Sequence, residues 1–212
     1  MTGVQTCALP ISEGWEVFQF SEVNLVAPLT YDLSLRLRGQ VGSDGDMPTV
    51  WPTGSTVVLL NGGPRQIELS LAARGLARNY RIGAAARGFD DPDVVAKSEA
   101  FRGIGLRPYA PAHVRAQAVG GDLAVSWIRR TRIDGDNWQS SEVPLGEDRE
   151  AYLVRVIAGS SILREVEVAT ATWTYTAAMR VLDGLLGPYA ISVAQLSDRF
   201  GPGSFRSIAL TV

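Results

Sequence analysis

Leu123-Ala-Val-Ser-Trp127 is the stretch on which the second half of the chain turns. Leu123, Val125 and Trp127 face one way, Ala124 and Ser126 the other, a period of two that marks a strand with one buried face. Gly120-Gly121-Asp122 supplies the turn in front of it. Trp127 is the largest apolar group on that face. A buried indole needs partners from an opposing layer, so the strand implies a sandwich and not an isolated hairpin.

Outward from this stretch the alternation repeats. Val114–Val119, Leu123–Arg130, Tyr152–Ile157, Leu163–Val168, Trp173–Tyr175, Tyr189–Leu196 and Phe205–Val212 read as seven short strands, with one helical turn over Ala177–Leu182. That many short strands in about 100 residues predicts an immunoglobulin-like sandwich over 111–212. Its expected core anchors are Val125, Trp127, Tyr152, Tyr189 and Val193. Leu106-Arg-Pro-Tyr-Ala-Pro111 is held extended by its prolines and reads as the linker into it.

Upstream, 13–71 is also β-rich. Trp15–Phe20, Val23–Val26 and Tyr31–Arg38 read as strands, the last with Tyr31, Leu33, Leu35 and Leu37 on one face. Gly39–Thr53 reads as a loop. Thr56–Leu60 is an apolar run expected to be buried on both faces, and Asn61-Gly62 is a hairpin signal with Ile67–Leu71 returning. Residues 72–110 are a mixed connecting segment: Tyr80–Ile82 a strand, Asp93–Phe101 helical turns or an irregular loop. The fold class expected is all-β, an incomplete β-rich segment followed by a seven-stranded sandwich.

Composition excludes several functions. A formal net charge of -2 argues against a nucleic-acid binder held by phosphate contacts. No run of 18 apolar residues is present, so no membrane span is expected. Cys7 is the only cysteine, so no internal disulfide can form, which fits the cytoplasm or a particle assembled there. His113 is the only histidine and has no histidine partner for a metal site or a triad. Asp90, Asp91 and Asp93 around Pro92 read as a solvated loop. Asp134-Gly-Asp136-Asn137 and Asp44-Gly-Asp46 lack the spaced series ending in a bidentate Glu, so both read as turns. No catalytic residue, cofactor or metal is expected. The candidate interface residues are Arg130 and Arg132, on one face of the Trp127 strand's end with Arg129 on the other, and Trp138 and Trp51, large aromatics in polar or Pro-rich loops. A rival reading, a carbohydrate-binding accessory module facing a cell-surface glycan, has only Trp51, Trp138 and Tyr109 as sugar platforms.

Three resemblances add to this. Met1-Thr-Gly-Val-Gln-Thr-Cys-Ala-Leu-Pro-Ile11 resembles a translated sequencing adapter, which implies that residues 1–12 stand outside the fold and that the chain is the C-terminal fragment of something longer. Residues 111–212, through Leu123-x-Val125-x-Trp127, Tyr152-x-Val154-x-Val156 and Tyr189-x-Ile191-x-Val193, resemble a fibronectin type III domain; Tyr189 falls where that fold keeps its tyrosine corner. Leu33-x-x-x-Leu37-Arg-Gly-Gln40 with Gly42, Trp173-Thr-Tyr-Thr-Ala-Ala178 with Asp183-Gly184, and Val193-Ala-Gln-Leu-Ser-Asp198 with Gly201-Pro-Gly203 resemble the C-terminal part of the large tail protein of phages and gene transfer agents. That resemblance implies a structural, non-enzymatic component of a baseplate hub or tail tip. Its expected partners are other tail proteins and further copies of itself, and its place is the virion. The hydrolase-like barrel found further upstream in that family has no match here. The fragment is then expected to leave apolar faces of 15–71 uncovered.

Overall fold

Period-two alternation becomes antiparallel sheet nearly everywhere, and the fold is all-β. The computed structural model describes residues 5–11, 14–45, 47–135 and 143–211. They divide into two compact units, residues 1–63 with 105–212, and residues 64–104.

The first unit begins with a four-stranded sheet in the order β3-β2-β1-β4: β1 (Gln5–Ile11), β2 (Gly14–Ala27), β3 (Thr30–Gln40) and β4 (Val58–Leu59). Gln5–Ile11 therefore lies inside the sheet, between β2 and β4, where the adapter resemblance placed it outside the fold. The reason is its register: Cys7 sits opposite both Phe18 and Leu59 and is buried with Phe18 and Phe20. β2 is one strand and not two, because Phe20, Glu22 and Val23 keep the same ladder with β3. The expected strand over Thr56–Leu60 shrinks to two residues, and its apolar run is half exposed, not buried on both faces. Ile67–Leu71 does not return as a strand; a 3-10 turn begins at Leu71.

In the second unit, β5 (Ala77–Ile82) and β6 (Val95–Ala100) form a two-stranded hairpin. β6 replaces the expected helical turns or loop over Asp93–Phe101. Its Lys97-Ser-Glu99 centre has no apolar alternation, so only pairing with β5 makes it a strand.

The sandwich packs two sheets. One is β7 (Ala112–Val119), β8 (Asp122–Ile128) and β11 (Thr172–Tyr175), in the order β11-β8-β7. The other runs β10 (Ser161–Val168), β9 (Tyr152–Ala158), β12 (Tyr189–Ser197), with β14 (Arg206–Leu210) also on β12 and a two-residue β13 (Gly201–Pro202) at its end. Helix α1 (Ala177–Leu182) links β11 to β12. It starts on Thr176, whose side chain accepts from the Met179 N–H, and Asp122 accepts the Ala177 N–H. Val125, Trp127, Tyr152, Tyr189 and Val193 all lie in one buried cluster, with the Trp127 ring meeting Tyr152 edge-on at 5.2 Å. Tyr189 is buried at the start of β12, but its hydroxyl makes no hydrogen bond among the described residues. The buried phenols that are anchored are Tyr175, which donates to Asp183 Oδ2 at 2.5 Å, and Tyr152, which donates to Glu150 Oε1 at 2.7 Å.

Candidate functional site

Beyond Phe20 the described partner of β2 is β3 alone, because the β1 register ends at Gln5 opposite Phe20. The hairpin that continues, Val23-Asn-Leu-Val-Ala-Pro-Leu-Thr-Tyr31, carries no charge. Its turn is made at Leu29, with φ of 56° and 91% exposed; Leu25 is 65% exposed. Leu35 also takes a left-handed backbone, φ of 50°, and no pair forms there, although the register is the same on both sides of it. Leu33 packs on the Cys7, Phe18 and Phe20 cluster, whereas Leu35 and Leu37, expected on the same face as Leu33, are 68% and 58% exposed.

Val23, Tyr31 and Leu33 line a groove of about 710 Å³ together with Phe20, Val57 and Leu59. Gln5 and Asn61 are its polar lining residues, and Cys7 is a buried part of its wall. Burial pushes the Cys7 thiol pKa up, so it is a packed group and not a nucleophile. No carboxylate, histidine or cation stands among the lining residues. The groove can take apolar matter.

A buried ion pair stiffens the same sheet. Glu16 is fully buried and accepts from Arg38 Nε at 2.8 Å, Arg38 Nη2 at 2.7 Å, Trp51 Nε1 at 2.6 Å and the Gly39 N–H at 3.3 Å. Burial pushes its pKa up, but the Arg38, Trp51 and Gly39 hydrogen bonds outweigh that and hold it below the ordinary glutamate value. Arg38 also donates to the Pro48 and Thr49 carbonyls, so the pair pins the intervening loop. Trp51 is thereby folded back: its ring lies 4.6 Å from Phe18 and the Arg38 guanidinium 4.6 Å over it.

The arginines at the end of β8 are engaged within the chain. Arg130 donates to Asp44 Oδ2 at 2.6 Å and lies 5.2 Å over the Tyr109 ring, which ties the amino-terminal sheet's Ser43–Gly45 turn to the sandwich. Gly42 and Gly45 lie so close to Tyr109 and Ser204 that a Cβ at either would overlap them. Arg132 holds Glu147 Oε1 at 3.1 and 3.0 Å, and Arg129 donates to the Val143 and Pro144 carbonyls. Trp138, Asp46, Asp136 and Asn137 lie outside the described residues. His113 is exposed at a bulge in β7, with φ of 51°. Asp134 makes a turn, with φ of 48°. Arg87 pairs with Asp91 and Asp93, which offsets part of that loop's negative charge. Among the described residues no three His, Cys, Asp or Glu side chains are grouped to hold a metal ion. Two polar networks escape a reading of the sequence: Glu16–Arg38–Trp51 and Arg164–Asp183–Tyr175, the latter with Arg164 donating to both Asp183 oxygens at 2.8 and 2.7 Å. Each joins residues distant in sequence, and neither carries a recognisable spacing.

Comparison with known proteins bears on the same sheet. Residues 1–58 match the family model described as Rcc01698-like, C-terminal. The match contains β1, β2, β3 and the Trp51 loop, and it stops at Val58, the first residue of β4. No curated protein sequence matches the chain. Solved structures align with the chain, two of which follow. Rat CD45 extracellular domains d3–d4 give a TM-score of 0.37 at 11% identity, covering 90% of this chain and 94% of that one. The fibronectin type III domain of human fibronectin type III domain containing protein 3 gives 0.33 at 14% identity, covering 50% and 86%.

Proposed function

We propose that this chain is a structural part of a phage-like tail, at the baseplate hub or tail tip, working in assembly and in contact with a host envelope. The observation that carries the reading is the uncharged Val23–Tyr31 end of the β2–β3 hairpin, which no other described strand pairs, with the apolar groove beside it. Chains that act alone rarely leave so much contiguous apolar surface in water, whereas assembly parts do. The tail-protein motifs quoted from the sequence support it. The family match over residues 1–58, to a model named for a C-terminal region, agrees with reading this sheet as the end of a larger β-rich part. The Arg130–Asp44 tie and the Glu16–Arg38 pair give the sheet a firm mounting, as a load-transmitting part needs. A sugar-binding role is less well supported, since Arg38 covers Trp51 and Arg130 covers Tyr109.

Genes adjoining this one on its source contig test the identity. Tail, tape-measure or cell-wall peptidase genes on the upstream side are expected; a neighbourhood of metabolic genes would contradict it.

A further inference from the structure

Residues 64–104 form a compact unit with almost no core: of their apolar side chains only Ala73 is buried. β5 and β6 pair with each other alone, and an isolated two-stranded ribbon is marginal in water. Ile67, Tyr80, Ile82 and Phe101 nevertheless share a groove of about 310 Å³, bordered by Lys97 and Glu99. Every residue of β6 is exposed. The two outer edges of this ribbon are not equivalent. β5 carries Arg78 and Arg81 and no acid, so antiparallel pairing of β5 with a copy of itself gives no charge match. β6, Val-Ala-Lys-Ser-Glu-Ala100, is different.

We infer that β6 is the edge at which two copies of this chain join, antiparallel about Ser98, to give a four-stranded β5-β6-β6-β5 sheet. In that register Lys97 faces Glu99 of the second copy, and the match occurs twice by symmetry. Val95 faces Phe101, and Ala96 faces Ala100. Val95, Lys97, Glu99 and Phe101 alternate onto one side of the ribbon, the side of Tyr80 and Ile82 that lie opposite Lys97 and Val95 in the hairpin. The two apolar grooves therefore merge on one face of the joined sheet. Centring on Lys97 or on Glu99 instead sets like charges against each other. A shift by one residue sends the two grooves to opposite faces. Only the Ser98 register satisfies both charge and apolar continuity.

This edge belongs to the second unit and the amino-terminal groove to the first, so either reading can fail without the other. The test is sedimentation of the whole chain in a Leu25→Asp, Leu29→Asp, Tyr31→Asp background, so that association through the amino-terminal sheet does not contribute. A dimer is expected. Lys97→Glu alone and Glu99→Lys alone each weaken it by about tenfold or more, since each creates two like-charged pairs. An equimolar mixture of the two variants restores dimer at the parent affinity, because the two acids of the Lys97→Glu chain then face the two lysines of the Glu99→Lys chain. A parent that stays monomeric up to ~100 µM overturns the inference. So does a mixture that associates no better than its components, or variants that dimerise as the parent does.

Discussion

β12 and β3 are both long, apolar-rich strands, yet β12 is almost wholly buried and β3 is largely in water. β12 lies between β9 and β14, and its sheet packs on β8, so both of its edges are paired and its inner face is covered. β3 is an edge strand, paired only with β2. Alternation in a sequence states that a strand has an apolar face; it does not state what covers that face. The sandwich covers its own, and the amino-terminal sheet does so only around Cys7, Phe18 and Phe20.

The contrast can be broken first at the sandwich. Trp127→Ala, removing a buried indole that meets Tyr152, is expected to cost about 4 kcal/mol. A denaturant titration of the whole chain followed by circular dichroism would measure it. Glu16→Ala strands Arg38 and Trp51 and is expected to cost about 3 kcal/mol, on the scale of breaking one partner out of a buried pair. The same network gives an acid signature. Glu16 and Asp183 both have folded pKa values below their unfolded ones: burial raises each, but hydrogen bonds, from Arg38 to Glu16 and from Arg164 to Asp183, more than offset it. Their stabilisation is therefore complete above the unfolded carboxylate value of roughly 4 and is lost as pH falls through the lower folded values. Melting midpoints measured downward from about pH 6 should drop in acid, and Glu16→Gln should flatten that fall. Tyr175→Phe deletes one hydrogen bond to a charged acceptor, and about 1.5 kcal/mol is expected in the same titration. Arg130→Ala should cost no more than about 1 kcal/mol, since both partners of its ion pair are partly in water. Faster exchange of amides near Ser43–Gly45 would report it.

The sandwich is legible in the sequence because Leu123–Trp127, Tyr152–Ile157 and Tyr189–Leu196 each alternate and each buries at least one face. The amino-terminal sheet is legible in outline only. Leu33, Leu35 and Leu37 read as one face, and the sequence does not announce that Leu35 takes a positive φ. β6 escapes such a reading because Lys97-Ser-Glu99 becomes a strand only by pairing. Whether Arg130 meets a neighbour's acid or its own chain's Asp44 depends on an ion pair spanning 86 residues. Sequence spacing cannot supply that. The groove itself follows from the register of β1 on β2 and β4, a stretch the adapter resemblance sets aside.

Binding of a fluorescent apolar-surface dye to the whole chain, compared with its Leu25→Asp, Leu29→Asp, Tyr31→Asp variant, tests most directly whether the amino-terminal sheet is an uncovered docking face beside a self-sufficient sandwich. Strong dye fluorescence with the natural residues and loss of most of it in the variant, at an unchanged folding midpoint, is the expected result. Absence of dye binding with the natural residues, or equal binding by both proteins, would contradict the account.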